Sequence, residues 1–158
     1  MKYSANFPLT IRRNLCIIIE AAENAGKLKK RRIKEMGKYL IKKTKTGIKF
    51  DLKAGNGEVI ATSEVYTTEK ACRAGIASVQ KNAPVAAVED QTAEGFEKQK
   101  HPKFEIYNDK AGEFRFRLKA TNGQIIAVSE GYKALSGCKN GIESVKKNAD
   151  SEIVMQDE

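Results

Sequence analysis

The sequence predicts an α+β protein made from two copies of one unit, and three observations predict it. Residues 50–83, FDLKAGNGEVIATSEVYTTEKACRAGIASVQKNA, align with residues 116–149, FRLKATNGQIIAVSEGYKALSGCKNGIESVKKNA, at a constant offset of 66, with 19 of 34 positions identical. Each copy opens on strict alternation: Ile48, Phe50, Leu52 against Lys49, Asp51, Lys53, and Phe114, Phe116, Leu118 against Arg115, Arg117, Lys119. A period of two places the apolar set on one sheet face and the charged set on the other. Each copy closes on a helical stripe, Cys72, Ile76, Val79 and Cys138, Ile142, Val145, at spacings of four and three. The match continues upstream at an offset of 65, pairing Lys38-Tyr39 with Lys103-Phe104 and Gly47 with Gly112. The second copy therefore carries one extra residue in or beside a turn.

In chain order, Ile11, Leu15, Ile18, Ile19 and Ala22 recur at helical spacing after the capping residue Thr10, and Gly26 offers a stop. The pattern predicts an amphipathic helix over 10–25 that runs into the basic stretch containing Lys30, Arg31 and Arg32. Short strands are expected at 39–43 and 103–107, with Gly-marked turns at Gly47 and Gly112. The alternating strands come next. Asn56-Gly57 and Asn122-Gly123 are hairpin dipeptides of the type I′ kind. Third strands are expected at 58–63 and 124–129, and helices at 68–82 and 134–148. Gly75 and Gly141 lie close to the apolar stripe, where a glycine weakens the helix by about 1 kcal/mol and so points to a close approach of helix and sheet. Pro84 to Val88 and Ile153 to Met155 supply a last strand per unit. The resulting organisation is a basic extension at 1–35, a first repeat at 36–90, a polar linker at 91–102 and a second repeat at 103–158.

The run KFEIYNDKAGEFRFRLKATNGQIIAVSEGY, followed by GCKNGIESVKKNA, resembles the YegP-like domain family, over about 120 residues from Met36 onward. The second copy matches closely, and the first is a degraded version. The resemblance implies one antiparallel sheet formed by two tandem β(3)-α-β units, with helices on one face and the C-terminal strands exchanged between units. It also implies a monomer, because the two repeats complete each other. Met36-Gly37-Lys38-Tyr39 is similar to the start of family members, so residues 1–35 are either an extension or sequence upstream of the initiation site. The family supplies no established activity, and no catalytic or ligand residue carries over from it.

Composition narrows the function classes. A chain of 158 residues with 41% apolar and 31% charged residues has the balance of a soluble globular protein. Three Cys spread along the chain do not make a disulfide framework, and one His without a CxxC pair leaves little for zinc. No cofactor is implied. No apolar run approaches the roughly 20 residues of a membrane span, and the five-residue run from Leu15 to Ile19 is too short for an export signal. A cytoplasmic location is expected by default. The net charge of +9 is uneven: residues 1–35 carry +6, residues 36–100 carry +3, and residues 101–158 are neutral.

Cys72 and Cys138 sit on the apolar stripe, which suits small core residues better than nucleophiles. Ser63-Glu64 with Tyr66, and Ser129-Glu130 with Tyr132, read as turn hydrogen bonding and a wedged corner before they read as acid–base groups. No paired acids, P-loop or Rossmann glycine pattern is present, so no enzyme is expected. The expectation is a binding or accessory module whose partner the sequence does not name. The alternative is a nucleic-acid binder that uses the tail (Lys30, Arg31, Arg32) and the open sheet face (Lys49, Lys53, Arg115, Arg117, Lys119, beside Tyr107). Asp51, Glu105 and Glu113 lie close enough to weaken that face.

Overall fold

The computed structural model describes residues 22–27 and 36–156 in two units, Met1–Glu35 and Met36–Glu158. In the first unit, residues 22–27 are helical and exposed. The rest of the helix expected over 10–25, and the basic run with Lys30, Arg31 and Arg32, lie outside the described residues.

The second unit runs β1 (Lys38–Lys43), β2 (Ile48–Lys53), β3 (Val59–Thr62), α1 (Glu69–Asn82), a 3₁₀ turn (Ala83–Val85) and β4 (Ala87–Asp90). It continues with β5 (Lys103–Asn108), β6 (Phe114–Lys119), β7 (Ile125–Val128), α2 (Leu135–Asn148) and β8 (Glu152–Met155). All eight strands form one sheet, in the order β4-β5-β6-β7-β3-β2-β1-β8. The two halves meet at β3 and β7 through the pair Thr62↔Val128. At the outer ends, β4 of the first repeat lies beside β5 of the second, and β8 lies beside β1.

Three sequence expectations are corrected. The sheet is mixed rather than antiparallel: β1/β8 and β4/β5 are parallel pairs. After each helix the chain returns in the direction in which its new neighbour runs, and the non-helical residues 91–102 between β4 and β5 are long enough to carry the chain back to the start of a parallel strand. The strand expected from Pro84 begins at Ala87, because Pro84 sits in the 3₁₀ turn. The hairpins are not type I′, since among the described residues none other than glycine has a positive φ; Gly57 (87°) and Gly123 (83°) do. In the first hairpin the Gly57 N–H donates to Ala54 O at 2.9 Å, and the Ala54 N–H donates to Glu58 O at 2.9 Å. That is a three-residue loop with one left-handed glycine. The Asn56 side chain accepts from the Glu58 N–H at 3.1 Å, so it shapes the turn without entering the left-handed region.

Local signals explain the helices and their seating. Thr68 caps α1 by accepting from the Ala71 N–H at 3.1 Å. Tyr39, Ile41, Phe50 and Leu52, their counterparts Phe104, Ile106, Phe116 and Leu118, and the stripes Cys72-Ile76-Val79 and Cys138-Ile142-Val145 belong to one buried cluster. Helix α1 packs against β2 and β7, and α2 packs against β6 and β3, so each helix touches strands of both repeats. Glycine permits this approach. A Cβ at Gly141 would lie 2.4 Å from the Tyr132 hydroxyl and 3.0 Å from the Phe116 ring, and one at Gly75 would lie 2.3 Å from the Tyr66 hydroxyl.

Polar contacts tie the repeats together at the helix ends. Asn148 accepts from the Gly37 N–H at 2.8 Å, and the Tyr39 hydroxyl donates to Ala149 O at 2.6 Å. The position equivalent to Gly37 in the second repeat is Pro102, which has no N–H to offer. Asn82 instead accepts from the Thr121 hydroxyl at 3.0 Å.

Two outcomes follow from this packing. Gly141→Ala should lower the unfolding free energy by about 1–3 kcal/mol through overpacking, and adding Tyr132→Phe should recover part of that loss; urea melts of both variants test it. Residues 103–158 alone should sediment as a dimer at micromolar concentration, because β8 then has only the β5 of a second copy to complete.

Candidate binding face of the sheet

Alternation about the buried row turns Lys38, Leu40 and Lys42 of β1, and Lys49, Asp51 and Lys53 of β2, away from the helices. The register sets Lys38 opposite Lys53, Leu40 opposite Asp51, and Lys42 opposite Lys49. Two like-charge pairs thus face each other along one hairpin, an arrangement that costs stability. Asp51 sits between them and is only 3% exposed. Lys42 Nζ lies 2.7 Å from one of its oxygens, Lys49 Nζ lies 3.7 Å from the other, and the Thr62 hydroxyl donates to it at 2.6 Å. Burial alone would push the Asp51 carboxyl up, but the hydrogen bonds from Lys42 and Thr62 and the two ammonium charges hold it below the usual carboxylate range. Among the described residues, neither Lys38 nor Lys53 forms an ion pair.

The corresponding face of the second repeat carries Lys103, Glu105 and Tyr107 on β5, with Arg115, Arg117 and Lys119 on β6. Its cations are taken up internally. Glu105 receives Arg117 Nε at 2.5 Å, Lys119 Nζ at 3.0 Å and Lys103 Nζ at 3.1 Å. Glu89, reaching in from β4, receives Lys103 Nζ at 2.7 Å. The Gln99 N–H and the Gln91 amide donate to Glu89 at 2.6 and 2.8 Å, so part of the expected linker folds over this corner. Arg115 pairs with Asp109 at 2.7 Å. The Arg117 guanidinium lies 4.9 Å above the Tyr107 ring, occupying the one aromatic on this face that base stacking would use.

Glu89 and Glu105 are register neighbours on parallel strands, with Lys103 shared between them. Burial pushes both carboxyls up. Lys103 and Gln91 overcome this at Glu89 and take it down to about 2; Arg117, Lys119 and Lys103 hold Glu105 below its ordinary value. The hydrogen bond to Glu89 leads the causes that raise Lys103.

The sheet thus brings Lys49, Lys53, Arg115, Arg117 and Lys119 onto one face, and pairs the last three with carboxylates. Lys38 and Lys42 also belong to this face. They escaped the sequence reading although the alternation through Lys38-Tyr39-Leu40-Ile41-Lys42 marks them as outward. Glu89 had no comparable signal, since its partners come from the linker (Gln91, Gln99) and the other repeat (Lys103).

The remaining candidates are structural. Cys72 and Cys138 are fully buried, and burial pushes both thiols up, Cys138 to about 11. Ser63 accepts from the Phe50 N–H at 2.9 Å and donates to Glu64 O at 2.7 Å, and Ser129 repeats the pattern at 2.8 and 2.8 Å. Tyr66 stacks on Phe50 and Tyr132 on Phe116, with ring centroids 6.5 and 6.3 Å apart. Among the described residues, no group of three His, Cys, Asp or Glu is placed to hold a metal ion, and no helix is long and apolar enough to cross a membrane. A recess of about 150 Å³ beside Lys49, Asp51, Thr62 and Glu130 opens on the sheet face, and one of about 390 Å³ lies between β4 and α2 beside Val88 and Ile142.

The family model described as "Domain of unknown function (DUF1508)" matches residues 45–90 and again residues 109–154. The chain belongs to this YegP-like family. It is 40% identical to the UPF0339 protein YegP of Yersinia pestis over 120 residues, 75% of this chain and 94% of that one. It is 83% identical to the UPF0339 protein in the ptx operon 5′ region of Stutzerimonas stutzeri over 46 residues, which span 29% of this chain and 41% of that relative. Among solved structures it is similar to the solution structure of yegP from E. coli, a protein of unknown function. The TM-score is 0.61 at 35% identity, covering 78% of this chain and 97% of that one. The solution structure of UPF0339 protein SO3888 from Shewanella oneidensis gives a TM-score of 0.62 at 36% identity, covering 75% and 90%. The family's function is unknown, and no enzymatic activity accompanies these relatives.

The buried carboxylates make acid stability a test of this YegP-like corner. Groups with depressed native pKa values stabilise fully above their ordinary values and lose that contribution as pH falls through the native ones. For Glu89 that window runs from 4.5 down to about 2. Thermal melts across pH should be flat above about pH 5 and fall steadily below it. Lys103→Met should lower neutral-pH stability by about 3–5 kcal/mol and start the acid loss at higher pH.

Proposed function

We propose that this YegP-like protein is a non-enzymatic binding module and that the outer face of its sheet is the contact surface. The observation that carries this reading is the contrast between the two sides of the fold. The nucleophile and acid–base candidates are committed to packing and backbone hydrogen bonds, whereas a strand pair bearing exposed Lys38 and half-buried Lys42, Lys49 and Lys53 faces outward at a cost in stability. In this reading both helices cover one sheet face. The repeats 36–90 and 103–158, joined by 91–102, act as one monomeric body, because each closes the other's sheet edge. Residues 1–35 are a basic extension, and the module works in the cytoplasm. Affinity capture from a source lysate, with wild type and with a Lys38→Glu/Lys53→Glu variant, tests the face. The expected result is a set of partners held by wild type alone, and identical capture by both chains would refute the assignment.

A second reading, nucleic-acid binding, is favoured by one specific observation: the first-repeat face gathers Lys38, Lys42, Lys49 and Lys53 on one strand pair, and Lys38 and Lys53 have no ion pair among the described residues. Phosphate contacts made by such groups weaken steeply with salt. Fluorescence anisotropy with labelled single-stranded RNA and DNA across a salt series checks it, and the absence of binding at near-physiological salt would rule it out.

A further inference from the structure

The two halves of the outer face are related by the repeat but differ in charge design. At an offset of 65 or 66, Lys38 corresponds to Lys103, Lys42 to Tyr107, Lys49 to Arg115, and Lys53 to Lys119; at the centre, Asp51 corresponds to Arg117 and Leu40 to Glu105. The second repeat gathers its cations around Glu89, Glu105 and Asp109. The first repeat keeps two lysine rungs, Lys42↔Lys49 and Lys38↔Lys53, around a single buried carboxylate, with Glu152 of β8 beside Lys38 and Glu130 lining the recess beside Lys49.

Resting on the nucleic-acid reading above, we infer that the first-repeat rungs Lys38, Lys42, Lys49 and Lys53 are a contact site for the phosphodiester backbone of single-stranded nucleic acid. The arginines of the second repeat do not form it. The rungs stand four residues apart on β1, about 13 Å along the strand, so a flexible strand lying across the hairpin meets ammonium pairs at two separate phosphates. Asp51 already offsets part of the repulsion at the Lys42–Lys49 rung, whereas Lys38 and Lys53 face each other without an ion pair among the described residues; a phosphate at each rung offsets what remains. Among the described residues this face offers no free aromatic platform, because the Arg117 guanidinium lies over the Tyr107 ring. Binding is therefore carried by charge and is indifferent to base sequence.

The test is anisotropy of the full chain with labelled dT and mixed-sequence single strands, from low to physiological salt. Neutralising Z phosphates of a single strand gives a log–log salt slope of about −0.7Z. The variant Lys38→Gln/Lys42→Gln/Lys49→Gln/Lys53→Gln should lose roughly 1–1.5 from the wild-type slope and bind at least about tenfold more weakly in 0.1 M salt. Arg115→Gln/Arg117→Gln should stay close to wild type. An unchanged slope in the four-lysine variant overturns the site while leaving the nucleic-acid reading standing, and a slope lost in Lys29→Gln/Lys30→Gln/Arg31→Gln/Arg32→Gln instead moves binding to the tail. A wild type that does not bind overturns both. Displacement by poly-glutamate as effective as displacement by unlabelled DNA overturns the ligand class. Lys53→Glu gives a readout that does not depend on the multiple variant folding. It breaks one like-charge rung, so the Tm should rise by about 1–3 °C while DNA affinity falls. A raised Tm with unchanged affinity would refute the inference.

Discussion

Reciprocal strand exchange is the constraint on which the rest of this structure depends. Each repeat folds into three antiparallel strands and a helix, then sends its last strand to the edge of the other repeat, β4 to β5 and β8 to β1. Without that exchange, the edges of β1 and β5 would expose unpaired backbone groups. The helices follow the same logic, since each lies across strands of both halves and their stripes merge into one core. Asn148, Gly37 and Tyr39 fasten one joint by hydrogen bonds, while Asn82 and Thr121 serve the helix end at the other.

A symmetric backbone has been given an asymmetric surface. The inward rows are nearly interchangeable, Phe50 with Phe116 and Leu52 with Leu118, because both must fit the same space under a helix. The outward rows have diverged: Asp51 in one repeat stands where Arg117 stands in the other. The second repeat has turned its face into a closed ion network that fixes the β4–β5 corner beneath Gln91 and Gln99. Such networks specify geometry more than they add stability, since removing the charges from water offsets much of their attraction. The first repeat has left its lysines outward, which is where a ligand of opposite charge would be met.

Much of the fold was legible in the residues. The repeat, the period-two rows, the helix stripes and the glycines under Tyr66 and Tyr132 are local patterns, and each survives in the structure. The misreadings have equally local causes. Asn-Gly reads as a two-residue turn, but one additional residue in the loop leaves only the glycine left-handed. Proline at 84 reads as part of a strand, although it sits inside the 3₁₀ turn Ala83–Val85 that precedes the strand. The outer face was less legible: Lys49, Lys53, Arg115, Arg117 and Lys119 were found from alternation, yet their pairing states were not.

By itself, the sequence determined which residues form strands and helices, which face of each is apolar, and that two equivalent units share one architecture. Periodicity is a property of neighbours along the chain, so it can be read without coordinates. The tertiary structure alone decided the direction of the exchanged strands, the burial of Glu89 against Lys103, and the capture of Arg117 and Lys119 by Glu105. Those outcomes depend on side chains that lie on different strands, in part from different repeats. Electrostatic pairing is set by distances of a few ångströms in space, and only the folded sheet fixes those distances.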